Sequence, residues 1–189
     1  MDAFLVSTGV VALGEMGDKT QLLAIVLAAR FRRPWLICTG ILLATLVNHA
    51  LAGVLGAGLA WLISPDILRW VVGISFLAMA VWLLVPDSLA DTPGTLQRFG
   101  VLGTTLIMFF MAEMGDKTQI ATIALAARYD DIASVVAGTT LGMMLVNAPV
   151  VFLGDVIARR VSMRLIHGAA ALIFAVLGVL SMLNVGDIF

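Results

Sequence analysis

The sequence predicts an all-α polytopic membrane protein with six transmembrane helices arranged as two inverted three-helix repeats. Three observations predict it. The 189 residues are 61% hydrophobic and 12% charged, with a mean hydropathy of +1.09, which takes the chain out of the soluble class. Polar breaks divide it into six apolar stretches, each near the ~20 residues that a helical crossing of the bilayer core needs. There is also an internal duplication: Glu15-Met16-Gly17-Asp18-Lys19-Thr20-Gln21 returns letter for letter as Glu113-Met114-Gly115-Asp116-Lys117-Thr118-Gln119. Extended to Arg30 and Arg128, the match holds at twelve of sixteen positions at a constant offset of 98.

The first stretch, 3–29, carries the motif near its middle and ends at Arg30-Phe31-Arg32-Arg33-Pro34. The second, 35–63, ends at Ser64-Pro65-Asp66, and the third runs over 67–85. Pro86 to Arg98, with Asp87, Asp91, Pro93 and Gly94, reads as a linker between halves. The fourth stretch, 100–127, carries the second motif and stops at Arg128-Tyr129-Asp130-Asp131; the fifth and sixth, 132–157 and 165–183, flank the segment Arg159 to Arg164. The domain reading is therefore a first repeat over 1–85, a linker over 86–99 and a second repeat over 100–189, within one membrane domain.

At the same offset Gly40 aligns with Gly138 and Phe76 with Phe174, and Asn48 meets Asn147 after a one-residue slip. The repeat is thus three helices long. An odd number of crossings reverses direction, so the halves are expected to have opposite orientation, with a site near the midplane where they meet. With the N-terminus outside, Arg30, Arg32, Arg33, Arg98, Arg159, Arg160 and Arg164 fall inside and only Arg69 and Arg128 outside. This excess predicts both termini outside. The N-terminus lacks the basic region of a signal peptide and the Arg-rich pattern of a transit peptide, so a bacterial inner membrane is the simplest location.

Composition also excludes functions. A net charge of -1 without a basic cluster leaves no electrostatic footprint for nucleic acid. The single cysteine, Cys38, forms neither an internal disulfide nor a Cys-x-x-Cys metal site, and its apolar surroundings suggest packing.

Glu15 and Glu113 lie halfway along their stretches, where a charge costs roughly 2.5–3.5 kcal/mol on insertion scales. Glu15 and Asp18 are i and i+3, as are Glu113 and Asp116, so each pair is expected to share a helix face. If the two helices meet, four carboxylates converge beside Lys19 and Lys117, leaving two net negative charges for one divalent cation or two protons to balance. Oxygens of Glu15, Asp18, Glu113, Asp116, Gln21, Gln119, Thr20 and Thr118 make a hard ligand set suited to Mg, Ca or Mn rather than zinc or copper. Lys19 and Lys117 balance charge. Gly17 and Gly115 predict a bent or locally unwound helix within each motif. Like charges a few ångströms apart cannot all stay ionised without a cation, so protons and metal are expected to compete for the site.

Other readings stand beside these. Glu15 and Lys19, like Glu113 and Lys117, are i,i+4 pairs that could simply neutralise each other, although two identical copies at matched depth argue for a shared role. Asn48 and Asn147 read either as cation contacts or as interhelical hydrogen-bonding glue. His49 has no counterpart in the second half, which argues against a symmetric ligand role, and His167 reads as interfacial. Asp155 reads as charge compensation near Arg159 and Arg160. Met16 and Met114 lie inside the motifs, where a thioether would favour Mn.

The Glu-x-Gly-Asp-Lys-Thr motif, twice, in the first and fourth of six stretches, resembles the Gdt-type cation/proton exchanger family, whose pattern is Glu-x-Gly-Asp-(Lys/Arg)-(Ser/Thr). That family includes Golgi and chloroplast members and bacterial manganese exporters of the MneA type. The resemblance covers nearly the whole chain, and its small size looks like the manganese exporter branch. It implies cation export coupled to protons, with Mn2+ or Ca2+ as transported substrate and no cofactor, and metal-binding roles for Glu15, Asp18, Glu113 and Asp116. The partners expected are a divalent metal ion, protons and the lipid bilayer. A passive cation channel would share the acidic ring without proton coupling. An intramembrane enzyme would need phosphate-binding arginines at the motif's depth, whereas the arginines here cluster in the breaks.

Overall fold

The computed structural model describes residues 1–82, 84, 99–153 and 163–183. Eight helices are described: α1 (Asp2–Glu15), α2 (Lys19–Phe31), α3 (Pro34–Leu62), α4 (Pro65–Trp82), α5 (Gly100–Glu113), α6 (Lys117–Arg128), α7 (Ile132–Leu153) and α8 (Met163–Leu183). The second, third, fifth and sixth expected stretches each correspond to one helix. The first and fourth are each two helices, divided inside the motif. The Pro86 to Arg98 linker, Asp155, Arg159 and Arg160 lie outside the described residues, as does the side chain of His167.

Local sequence accounts for the helix ends. Pro34 opens α3, where its missing N–H costs nothing and its fixed φ suits the first turn. Asp131 starts α7 by accepting the Ser134 N–H at 3.0 Å and the Ser134 hydroxyl at 2.5 Å. Those bonds hold the exposed Asp131 carboxyl below the usual carboxylate range. Arg32 closes α2 in the left-handed region (φ 53°), its N–H donating to the Ala28 carbonyl.

The helices pack in reciprocal pairs. Helix α1 lies on α7 as α5 lies on α3; α6 lies on α3 as α2 lies on α7; α3 crosses α7 and α4 packs on α8. Two glycines that align at the 98-residue offset permit close approach at two of these contacts. A Cβ on Gly138 would fall 2.5 Å from the Phe4 carbonyl oxygen and 3.0 Å from the Ser7 side chain. A Cβ on Gly40 would fall 2.7 Å from the Thr105 side chain and 3.2 Å from the Leu102 carbonyl oxygen. Leu102 and Thr105 are themselves 98 residues beyond Phe4 and Ser7, so the same seam is built twice. Phe76 and Phe174, also 98 apart, meet edge to face at 5.8 Å between α4 and α8.

The polarity of the molecule is turned inside out. Glu15, Asp18, Asn48, His49, Glu113, Asp116, Lys117 and Asn147 are buried, while Val47, Leu51, Val54, Leu55 and Leu62 on α3 are exposed. Among the described residues, α3 and α7 are long and apolar enough to cross a membrane, and α5 and residues 168–183 are shorter apolar helices. An apolar exterior around a charged interior suits a chain whose surroundings are lipid.

Candidate metal centre

The two copies of the motif adopt one conformation, and each of its seven letters has a visible task. The glutamate is the last residue of its helix (α1 or α5). The methionine then turns extended, with φ -64° and ψ 113° at Met16 and φ -66° and ψ 117° at Met114. Gly17 (φ 83°) and Gly115 (φ 77°) take the left-handed conformation, which glycine adopts without the Cβ penalty. The aspartate sits at the N-cap of α2 or α6, with extended backbone. Glutamine closes the loop: the Gln21 side-chain oxygen accepts the Gly17 N–H at 3.1 Å, and that of Gln119 accepts the Gly115 N–H at 2.6 Å.

Glutamate and aspartate therefore do not share the face of one continuous helix. They stand on opposite sides of a break, at the C-terminus of one half-helix and the N-terminus of the next. An N-cap aspartate ordinarily accepts from its own first turn, yet neither Asp18 nor Asp116 makes a side-chain cap bond. Each instead receives the lysine of the other repeat. Lys19 Nζ donates to Asp116 Oδ1 at 2.9 Å, and Lys117 Nζ donates to Asp18 Oδ1. The i,i+4 pairing of each lysine with its own glutamate thus gives way to two crossed ion pairs between halves.

The threonines hold the glutamates. Thr20 Oγ1 donates to Glu15 Oε2 at 2.5 Å and Thr118 Oγ1 to Glu113 Oε2 at 2.7 Å. Glu15 and Glu113 are fully buried, and Asp116 is 1% exposed. Ligand oxygens of these three carboxylates lie within 4.8 Å of one another. Each also keeps one buried oxygen without a hydrogen-bond partner among the described residues, namely Glu15 Oε1, Glu113 Oε1 and Asp116 Oδ2. Unsatisfied carboxylate oxygens gathered in a dry interior are the donor set that a hard divalent cation satisfies.

The remaining candidates divide. Asn48 bridges the halves, accepting from Gln119 Nε2 at 2.6 Å and donating to the Phe110 carbonyl at 3.5 Å. Asn147 donates back into its own helix, to the Met143 carbonyl at 3.1 Å, and its buried Oδ1 has no hydrogen-bond partner among the described residues. His49 is fully buried, with neither ring nitrogen hydrogen-bonded among the described residues. Met114 is 53% exposed, unlike the carboxylates next to it. Sequence reasoning missed Trp82, whose ring lies 6.0 Å from Lys117 Nζ. Its counterpart at the repeat offset is Leu180, so the duplication drew no attention to it.

The family described as divalent cation/proton antiporter GDT1 matches residues 3–91 and again residues 101–187. A Vibrio cholerae protein named "Putative manganese exporter" is 50% identical over 175 residues, covering 92% of this chain and 87% of that protein. A GDT1-like protein of Synechocystis is 27% identical over 202 residues, covering 96% and 97%. The Saccharomyces cerevisiae protein named "Divalent cation/proton antiporter GDT1" is 24% identical over 228 residues, covering 92% and 81%. No solved structure matches.

Proposed function

The chain belongs to the divalent cation/proton antiporter GDT1 family, and from that premise we propose that it is a secondary transporter exporting Mn2+ from the cytoplasm in exchange for protons. The observation that carries the reading is the meeting of Glu15, Glu113 and Asp116, drawn from both motifs, within 4.8 Å in a buried site. Carboxylate oxygens suit Mn2+, Ca2+ and Mg2+ alike. The choice of Mn2+ rests on the Vibrio cholerae relative.

Charge sets the exchange. The crossed lysines neutralise Asp18 and Asp116, which leaves Glu15 and Glu113 as two buried charges for one divalent cation or two protons to balance. Thr20 and Thr118 orient those glutamates; Gln21, Gln119 and Asn48 hold the motif loops and the seam between halves. Asp18 completes the carboxylate set from the other side of its ion pair, and Asn147 offers its amide oxygen.

The architecture proposed is six crossings of a bacterial inner membrane in two inverted repeats, 1–85 and 100–189 joined by 86–99, with both termini outside. In the first and fourth crossings two half-helices meet at the motif. Helices α1 and α2, of 14 and 13 residues, are each about 20 Å long, so a break between them falls near half depth. Trp35 and Trp61, 75% and 87% exposed at the two ends of α3, are separated by about 39 Å of helix, which suits the two interfacial belts. Reciprocal packing of the helices supports the repeat, and broken helices facing a midplane site recur in secondary transporters.

The test is transport. Purified protein in liposomes should move Mn2+ against an opposite proton flux, and Glu15→Gln and Asp116→Asn should abolish both. Conduction of Mn2+ that ignores the proton gradient would mark a channel and refute the antiport reading.

A further inference from the structure

The two crossed ion pairs are equivalent in sequence but not in surroundings. Lys117 is buried, its side chain 4% exposed and its ammonium near the face of Trp82, with Asp18 equally buried opposite it. The Lys19 side chain is 24% exposed, and Met114, two residues before its partner Asp116, is 53% exposed. Leu180 replaces Trp82 at the corresponding position of the second repeat, so no matching ring is available to Lys19 from there. The partner of Lys19 is Asp116, one of the three clustered carboxylates, whereas Lys117 holds an aspartate outside that cluster of three.

We propose that Lys19 is a tethered cation that occupies Asp116 while the site is empty and is displaced when a divalent cation enters, whereas Lys117 keeps its hold on Asp18. The assignment rests on the divalent-cation reading and deepens it by naming the group the cation must compete with. A metal ion on Asp116 would sit within a few ångströms of an ammonium that is itself 2.9 Å from Oδ1. Two positive charges that close in a buried site repel strongly. Lysine carries its charge on a flexible stem, and this side chain is 24% exposed, so Lys19 has somewhere to withdraw. Lys117, enclosed by protein and an aromatic face, does not.

The chain has only two lysines, Lys19 and Lys117, so an amine-reactive ester reports on these two groups and the N-terminus alone. The full-length protein is labelled with and without saturating Mn2+, with binding confirmed in the same sample by thermal stabilisation, and labelling is read by mass spectrometry. Lys19 labelling should rise roughly fivefold or more with Mn2+, the low end of ordinary coupling between competing ligands, while Lys117 stays protected. By reciprocity Lys19→Met should bind Mn2+ more tightly by a similar factor. Mn2+ that stabilises the protein yet leaves Lys19 labelling unchanged or lowered, exposes Lys117 instead, or binds Lys19→Met no better, overturns the assignment. Failure of Mn2+, Ca2+ and Mg2+ alike to stabilise the protein would instead remove the divalent-cation reading beneath it.

Discussion

Lys117→Met gives the sharpest test of how the halves are joined. The substitution keeps most of the side chain's volume and removes its charge, leaving Asp18, with its side chain 1% exposed, without the ammonium that holds it. Stranding one partner of a buried ion pair costs about 3–5 kcal/mol. For a chain of this size, with a midpoint shift of about 2–4 °C per kcal/mol, the thermal midpoint of the cation-free protein should fall by roughly 6–20 °C. Asp18→Asn should fall comparably, since it strands the ammonium beside Trp82. The double variant holds no stranded charge and should recover much of the loss, with a coupling of about 2–3 kcal/mol. The assay is thermal unfolding in one detergent for all four proteins. If the two single losses simply add in the double variant, Lys117 and Asp18 are not a coupled pair and the crossed arrangement is wrong.

Two further predictions follow from the hydrogen bonds and the helix seams. Thr118→Val removes the hydroxyl that fixes Glu113 Oε2 and should weaken Mn2+ binding about 10–100-fold, with Thr20→Val acting likewise on Glu15. At Mn2+ equal to 100 times the parent Kd, the stabilisation of about 2.7 kcal/mol would shrink to about 0.9 for a thirtyfold loss; Thr122→Val, whose hydroxyl bonds the Thr118 carbonyl, serves as the control that keeps its response. Gly138→Ala places a methyl 2.5 Å from the Phe4 carbonyl oxygen and should lower stability by about 1–3 kcal/mol, with Gly40→Ala acting similarly at the matching seam and Gly58→Ala, which meets nothing within 4 Å, causing no such loss.

Much of this was legible in the sequence because duplication carries information that one copy would not. The offset of 98 places Gly40 with Gly138 and Phe76 with Phe174, and these positions make the matching seam and the edge-to-face contact. Glycine inside an apolar stretch predicted a break, and Gly17 and Gly115 supply it. Hydropathy alone could not divide 3–29 or 100–127, since both half-helices are apolar and only backbone conformation separates them. The ion pairs were not legible. A lysine four residues after a glutamate reads as a local pair, and nothing in the letters tells it from a lysine that crosses to the other repeat. The threonines and glutamines looked like cation ligands because their oxygens are of the right kind; their observed bonds go to the glutamates and to the glycine N–H groups. The difference between Lys19 and Lys117 arises from burial and from Trp82, which lies 35 residues away in sequence from Lys117 and has no aromatic counterpart at Leu180.

The central claim is that both motifs build a single site, and the stoichiometry of Mn2+ binding tests it most directly. Calorimetric titration of the purified protein should give one Mn2+ per chain, and Glu15→Gln and Glu113→Gln should each abolish that binding although each leaves the other motif intact. Two ions per chain, or one ion still bound in either variant with the parent's affinity, would show that each motif works alone and would contradict the account.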